Sequence, residues 1–214
     1  MNMSNELNDR LAGVRRTHAW WDANVDRLKR MTAGMGGPVT CKGIGCSACC
    51  SEPVLSTRQE AELVMEGMTG DEQLVLACHM EGWMRKAWET GQLKKPEPDA
   101  FRYRAARLPC SFLSEAGGCS VYENRPLACR AHMAIGPVDA CVDDEARKTQ
   151  KYCTAPELLM GAVVQEAEET ADKLVLVYDM MHVWLCEMLL PEEELPWNTT
   201  TGPATRHTVE IKFS

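Results

Sequence analysis

The sequence predicts a mainly α protein, with helices around a central, irregular, cysteine-rich core suited to metal binding and containing a small β-hairpin. Three observations predict it. Apolar residues recur at helical spacing over residues 5–33 and 155–190. Between those stretches, two groups of cysteines sit in Gly- and Pro-containing segments that read as turns. The chain has 214 residues, 45% hydrophobic and 25% charged, an ordinary globular composition that fits a single domain over 1–214.

Residues 1–38 read as an N-terminal amphipathic helix. Leu7, Leu11, Val14, His18, Trp21, Val25 and Leu28 alternate at spacings of four and three. That seam suits either docking on the chain's own core, the favoured reading, or a partner helix. His18 lies on the seam and reads as a packed histidine. Gly34 to Pro38 ends the helix.

Residues 39–153 form the cysteine-cluster core. "CKGIGCSACC", Cys41 to Cys50, opens it, and Gly43 and Gly45 permit tight turns there. Thr57 with Glu60 three residues on reads as a capping box for a helix over 57–68. Gly70 should end that helix and Asp71 cap the next, over about 71–90. Lys94 to Asp99 reads as a linker. "CSFL" and "CSVY" flank "SEAGG" as a small hairpin. Pro126 fits the first turn of a short helix carrying Cys129.

Residues 154–191 read as a long C-terminal helix, ended by Pro191. "LVLVY" also suits a buried strand, but the surrounding periodicity favours helix. In the tail, 192–214, "HTVEIKFS" alternates like a short edge strand.

The formal net charge of -8 disfavours nucleic acid as a partner. No apolar run approaches the roughly 18 residues of a membrane span, so no membrane partner is expected. The first ten residues lack a signal-peptide pattern, which leads to a cytoplasmic expectation. In a reducing compartment, a cluster drawn from eleven cysteines is more often a metal site than a disulfide framework.

Cys41, Cys46, Cys49 and Cys50 form one candidate ligand group, and Cys110, Cys119, Cys129 and Cys141 the other. Cysteines separated by a few residues converge when the intervening turn folds back. Adjacent residues of an extended chain point apart, so Cys49 and Cys50 are expected to serve different ions or different roles. Two tetrahedral sites need eight thiolates, and the two groups supply eight. Cys153 is an alternative to Cys141 as the eighth. Cys78 and Cys186 read as small buried hydrophobes. The Cys41–Cys46–Cys49 spacing equals the plant-type ferredoxin run, but helical flanks argue against that fold.

"CKGIGCSACC" followed by "PCSFL" and "GGCSVYENRPLACR" resembles the YkgJ-like cysteine-cluster family of zinc- or iron-chelating proteins, the CxxCxxCC type. The resemblance covers roughly residues 41–141. It implies a metal held by the eight cysteines named above. The family also includes a domain of flagellin lysine methylases, for which an iron–sulfur cluster is implied, but no Gly-rich nucleotide loop is recognisable here.

Zinc and iron–sulfur clusters both accept four thiolates. The lack of histidine among the core ligands tilts the choice slightly toward iron–sulfur. His132 is a nearby candidate of secondary rank. Arg102, Arg104, Arg107, Arg125 and Arg130 crowd the second motif, and Arg125 and Arg130 are best placed to offset an anionic metal–thiolate centre. Tyr122 is a candidate donor to sulfur. Three functions follow. One is a metalloprotein for redox or metal handling, another a cluster-dependent enzyme such as an oxidoreductase or protein methyltransferase. The third is a zinc-stabilised interaction module that meets a protein partner through its N-terminal helix.

Overall fold

A computed structural model of the chain describes residues 3–36, 46–96, 100–135, 151–152 and 173–212. The fold is mainly α, as expected. Helix α1 spans Met3–Gly36. A short strand β1, Leu55–Thr57, leads directly into α2, Arg58–Met65, and then α3, Gly70–Glu89. Helix α4 is Ala100–Ala105 and α5 is Leu127–Ala131. Strands β2, Ala134–Ile135, and β3, Lys151–Tyr152, pair with each other. Strand β4, Lys173–Met180, runs into α6, Met181–Leu189, and β5 is His207–Lys212.

Local chemistry explains the helix starts. Thr57 caps α2: its hydroxyl accepts from the Glu60 amide, and the Glu60 carboxylate accepts from the Thr57 amide. Thr69 and Glu72 repeat the device at α3. The expected cap Asp71 is therefore displaced. Thr69 matches the S/T-x-x-E pattern, and Asp71 lies inside the first turn, where its charge meets the positive end of the helix.

The expected long helix over 154–191 does not hold where the structure describes it. Residues 173–180 are strand β4, and only 181–189 are helical. β4 is the central strand of an antiparallel sheet ordered β1-β4-β5. Its register runs from Lys173 opposite Lys212 to Tyr178 opposite His207, with Thr57 opposite Tyr178 on the other side. Val175 and Val177 are β-branched and suit a strand, and the alternating tail supplies the partner that a local reading of 173–180 lacks. The tail is an edge strand, as expected.

The principal core joins α2, α3 and α6. Ala61, Val64, Met80, Trp83, Met181 and Leu185 lie within it. The methionines and Trp184 of α6 are core packing, and the Trp184 indole N–H donates to the Ser56 carbonyl at 3.0 Å. α1 is attached differently, through two small satellite clusters. Leu11 and Val14 meet Leu63 of α2. Trp21, with Val25 against it, meets Leu127, Ala131 and Met133 around α5. The seam residues Leu11, Val14, Trp21 and Val25 of α1 thus pack on the chain's own body.

Candidate metal centre

The two cysteine segments are tied by backbone. A turn begins at Ser47, where the Cys50 amide donates to the Ser47 carbonyl at 2.9 Å and the Glu52 amide to the Cys49 carbonyl at 3.0 Å. The Cys110 amide then donates to the Cys50 carbonyl at 2.7 Å. From Cys110 the chain makes the expected hairpin in minimal form, a single bridge pairing Leu113 with Cys119. The Ser114 amide closes it on the Gly118 carbonyl at 2.8 Å, and Gly117 takes φ +79, which glycine adopts without a Cβ penalty. Pro126 sits one position before its expected place, as the residue preceding the first helical position of α5.

These segments bring six cysteines to one cavity of about 410 Å³: Cys46, Cys49, Cys50, Cys110, Cys119 and Cys129. Cys41, Cys141 and Cys153 lie outside the described residues. Cys49 and Cys50 do not point apart. Both line the same cavity, because the doublet lies in a turn and the alternation of extended chain does not apply. The two cysteine groups thus contribute to one cavity. Cys186 is buried, and its thiol reaches the Met80 carbonyl at 3.7 Å, as a packed cysteine should. Cys78 is exposed on α3 instead of buried.

The sulfurs sense one another. The hydrogen bond with Cys50, then burial, then the Cys50 and Glu52 charges hold the Cys49 thiol far above its ordinary range. Burial, with the neighbouring Cys119 and Cys49 charges, pushes Cys110 up to about 11. Burial and the charges of Cys110, Cys49, Cys119 and Glu60 push Cys129 well up. Such a group binds protons as a substitute for a cation, and a bound metal inverts that preference by stabilising the thiolates. The donor set therefore fits a thiophilic metal in kind. As placed, no three ligand groups among the described residues converge tightly enough to hold an ion. The fit is one of donor chemistry and shared cavity.

The arginines behave differently from one another. Arg125 stacks its guanidinium over the Tyr122 ring at 3.5 Å and donates to the Tyr122 carbonyl at 2.9 Å. Both residues line the cavity, and the Tyr122 ring serves the arginine. Arg130 is buried. Its Nε donates to the Arg125 carbonyl at 3.0 Å, and its terminal nitrogens bind Asp22 of α1 and the Glu123 carbonyl. It ties the loop before Cys129 to α1. Arg104 and Arg107 are not among the cavity-lining residues.

Several lining residues carry no signal in sequence spacing. Trp21, Asp22, Val25 and Lys29 make α1 one wall of the cavity. Glu52 faces the His132 ring at 3.3 Å within it. Only the nearness of Glu52 to Cys50 and of His132 to Cys129 in the chain pointed toward that pair. Beneath the site, His18 on the α1 seam is buried against Glu60 at 3.3 Å.

The CxxCxxCC family model, described as a "putative zinc- or iron-chelating domain", matches residues 40–154, more than half of the chain. No curated protein and no solved structure gives a significant match. No helix among the described residues is long and apolar enough to cross a membrane.

Proposed function

The chain belongs to the CxxCxxCC family of zinc- or iron-chelating domains, and on that premise we propose that it is a cytoplasmic metalloprotein whose cysteine cavity holds an iron–sulfur cluster or zinc for redox chemistry or metal handling. One observation carries the reading. Six thiols from two distant segments line one cavity, and burial with mutual charge makes three of them poor acids until a cation arrives. Cys46, Cys49, Cys50, Cys110, Cys119 and Cys129 are the proposed ligands within the described residues. Cys41 and Cys141, or Cys153 in place of the latter, complete a set of eight. When bound, a cluster supplies one-electron transfer, whereas zinc supplies structural cross-linking or Lewis acidity.

The surrounding residues have definable work. Trp21 and Val25 shield the cavity from water. Arg125 and Arg130 offset negative charge at the centre, and Arg130 holds the loop that carries Cys129. The described cysteines are free thiols.

Anaerobic purification followed by iron, zinc and acid-labile sulfide assays tests the reading. A brown protein with iron and sulfide supports a cluster. A colourless protein with zinc removes the redox role. Neither metal in stoichiometric amount overturns chelation.

A second reading, a zinc-stabilised interaction module, has its own observation. With the α1 seam packed inward, the opposite face carries Arg16, Trp20, Ala23, Arg27 and Arg30, all exposed, with Trp20 at 54%. A basic stripe with a tryptophan, on a chain of net charge -8, suits an acidic protein partner.

A further inference from the structure

Each cysteine segment carries a non-sulfur donor just past its last cavity-lining cysteine. Glu52 follows Cys50 with one residue between them, and His132 follows Cys129 with two between. Both side chains line the thiol cavity. They meet there, with the Glu52 Oε2 3.3 Å from the His132 Nε2.

The turns that hold the cysteines hold this pair as well. The Glu52 amide donates to the Cys49 carbonyl at 3.0 Å, and the His132 amide closes the end of α5 on the Ala128 carbonyl at 3.0 Å. The pair is not a surface ion pair, since the Glu52 side chain is 15% exposed and that of His132 23%. The cations that line the cavity are engaged with other groups: Arg130 with Asp22 and two carbonyls, Arg125 with Tyr122, and Lys29 with Asp26 at 3.7 Å.

Resting on the chelation reading, we infer that Glu52 and His132 are metal ligands, through Oε2 and Nε2, of a divalent ion of the zinc class, and that the cavity is a mixed sulfur, nitrogen and oxygen site. Zinc takes thiolate, imidazole and carboxylate alike. Ligands about 2.0–2.1 Å from a tetrahedral ion stand roughly 3.3–3.4 Å from one another. The separation of Oε2 and Nε2 is that of two ligands on one such ion. Because no three ligand groups among the described residues converge as placed, the pair supplies two corners of a shell that lining thiols close when the ion binds. Cys50 and Cys129 are the cavity thiols nearest to the pair along the chain. A cation between these groups also offsets the charge of a carboxylate that is mostly withdrawn from water.

Cobalt(II), added anaerobically to the chelator-treated full-length protein and read by X-ray absorption at the cobalt edge, tests the assignment. Scattering from ring carbons identifies imidazole, and the inner shell separates sulfur from nitrogen and oxygen by distance. The wild type should show sulfur together with nitrogen or oxygen, and an imidazole signal. His132→Ala should lose that signal and bind cobalt about 100-fold more weakly. Glu52→Gln should keep the imidazole signal and weaken binding about tenfold or more. His79→Gln, on the exposed part of α3 and outside the cavity, should load like wild type. A sulfur-only shell in the wild type would overturn the inference and leave chelation by the cysteines standing, whether or not the variants fold. An imidazole signal that survives His132→Ala would overturn it equally. A wild-type protein that takes up no cobalt would instead overturn the chelation reading itself, and this inference with it.

Discussion

Glu60 is buried and accepts from three elements at once. Its carboxylate takes the Thr57 amide at 3.0 Å and the Leu127 amide at 2.7 Å, and it faces the His18 ring at 3.3 Å. The first contact is the capping box that the sequence announces. The second places its charge at the start of α5, where free amides favour an anion, and two residues further on is Cys129. The third holds α1. Glu60→Gln keeps the size but turns one oxygen into an N–H donor facing another donor. It should cost about 3 kcal/mol in a urea titration, because a buried donor is left unpaired. Metal retention should fall with it, since α5 loses its anchor; a wild-type denaturation midpoint would contradict this account. Cysteine substitutions separate structural from metal roles. Cys129→Ser and Cys49→Ser should lower bound metal measured by elemental analysis. Cys186→Ser should leave metal intact and reduce stability, because it puts a hydroxyl in an apolar core. Cys78→Ser, at an exposed site, should change neither. Equal metal loss at Cys186 would show the ligand assignment to be wrong.

The junction of β4 and α6 concentrates two buried ionisable groups with opposite pH behaviour. Asp179 accepts from the Thr205 hydroxyl at 2.6 Å, the Met180 amide at 2.8 Å and Arg206 at 3.2 Å. Burial nevertheless outweighs these and raises its pKa from 3.8 to about 6. His182 stacks on Trp83 at 4.8 Å and accepts from the Ser111 amide at 3.4 Å; burial lowers its pKa from 6.5 to about 4. A raised carboxyl means that the native state binds more protons, so the Asp179 contribution is full below pH 3.8 and is lost as pH rises through 6. A depressed histidine contributes fully above pH 6.5 and loses that contribution as pH falls toward 4. Each effect is on the order of 3 kcal/mol, and they oppose each other over the same window. Relative to wild type, His182→Phe should gain stability on acidification from pH 6.5 to 4, and Asp179→Asn should lose it; parallel stability curves for all three proteins would refute both assignments. None of this was legible locally. The capping boxes, the hairpin turn and the cysteine groups could be read because each is specified within a few residues. Strand β4 was not, because "LVLVY" suits helix or strand and its pairing partner lies some thirty residues further on. The direction of Cys50 failed for a related reason, a turn replacing the extended chain that the reading assumed. The α1 wall of the cavity depends on how a distant helix docks, which spacing does not encode.

At the scale of the whole molecule, stability is distributed unevenly, and metal should bear on only part of it. The α2–α3–α6 core holds the large apolar side chains and one continuous cluster. The cysteine segments are divided: Leu108 and Phe112 beside Cys110 belong to that core, residues 46–52 contribute no buried residue, and Leu127, Ala131 and Met133 around Cys129 form a separate small cluster with α1, which joins through two such clusters and the polar contacts of Arg15, His18 and Asp22. Regions with sparse apolar burial open at lower free energy than the core. A metal that binds the folded cavity stabilises the elements lining it and leaves others nearly untouched. Chelation should therefore raise amide hydrogen exchange over residues 46–52, 119–131 and the part of α1 near Trp21, while α3 and α6 stay protected. Arg130 links these regions, because its buried guanidinium binds Asp22 on one side and the loop before Cys129 on the other. Arg130→Lys keeps the charge but cannot make all of those contacts. It should reproduce in the metal-loaded protein much of the exchange pattern that chelation produces, with Arg130→Gln at least as severe. Arg104→Gln, away from the cavity, should not. Exchange that rises uniformly over the chain on chelation would mean that cavity and core unfold as one unit. Unchanged exchange would mean that metal contributes nothing to the fold.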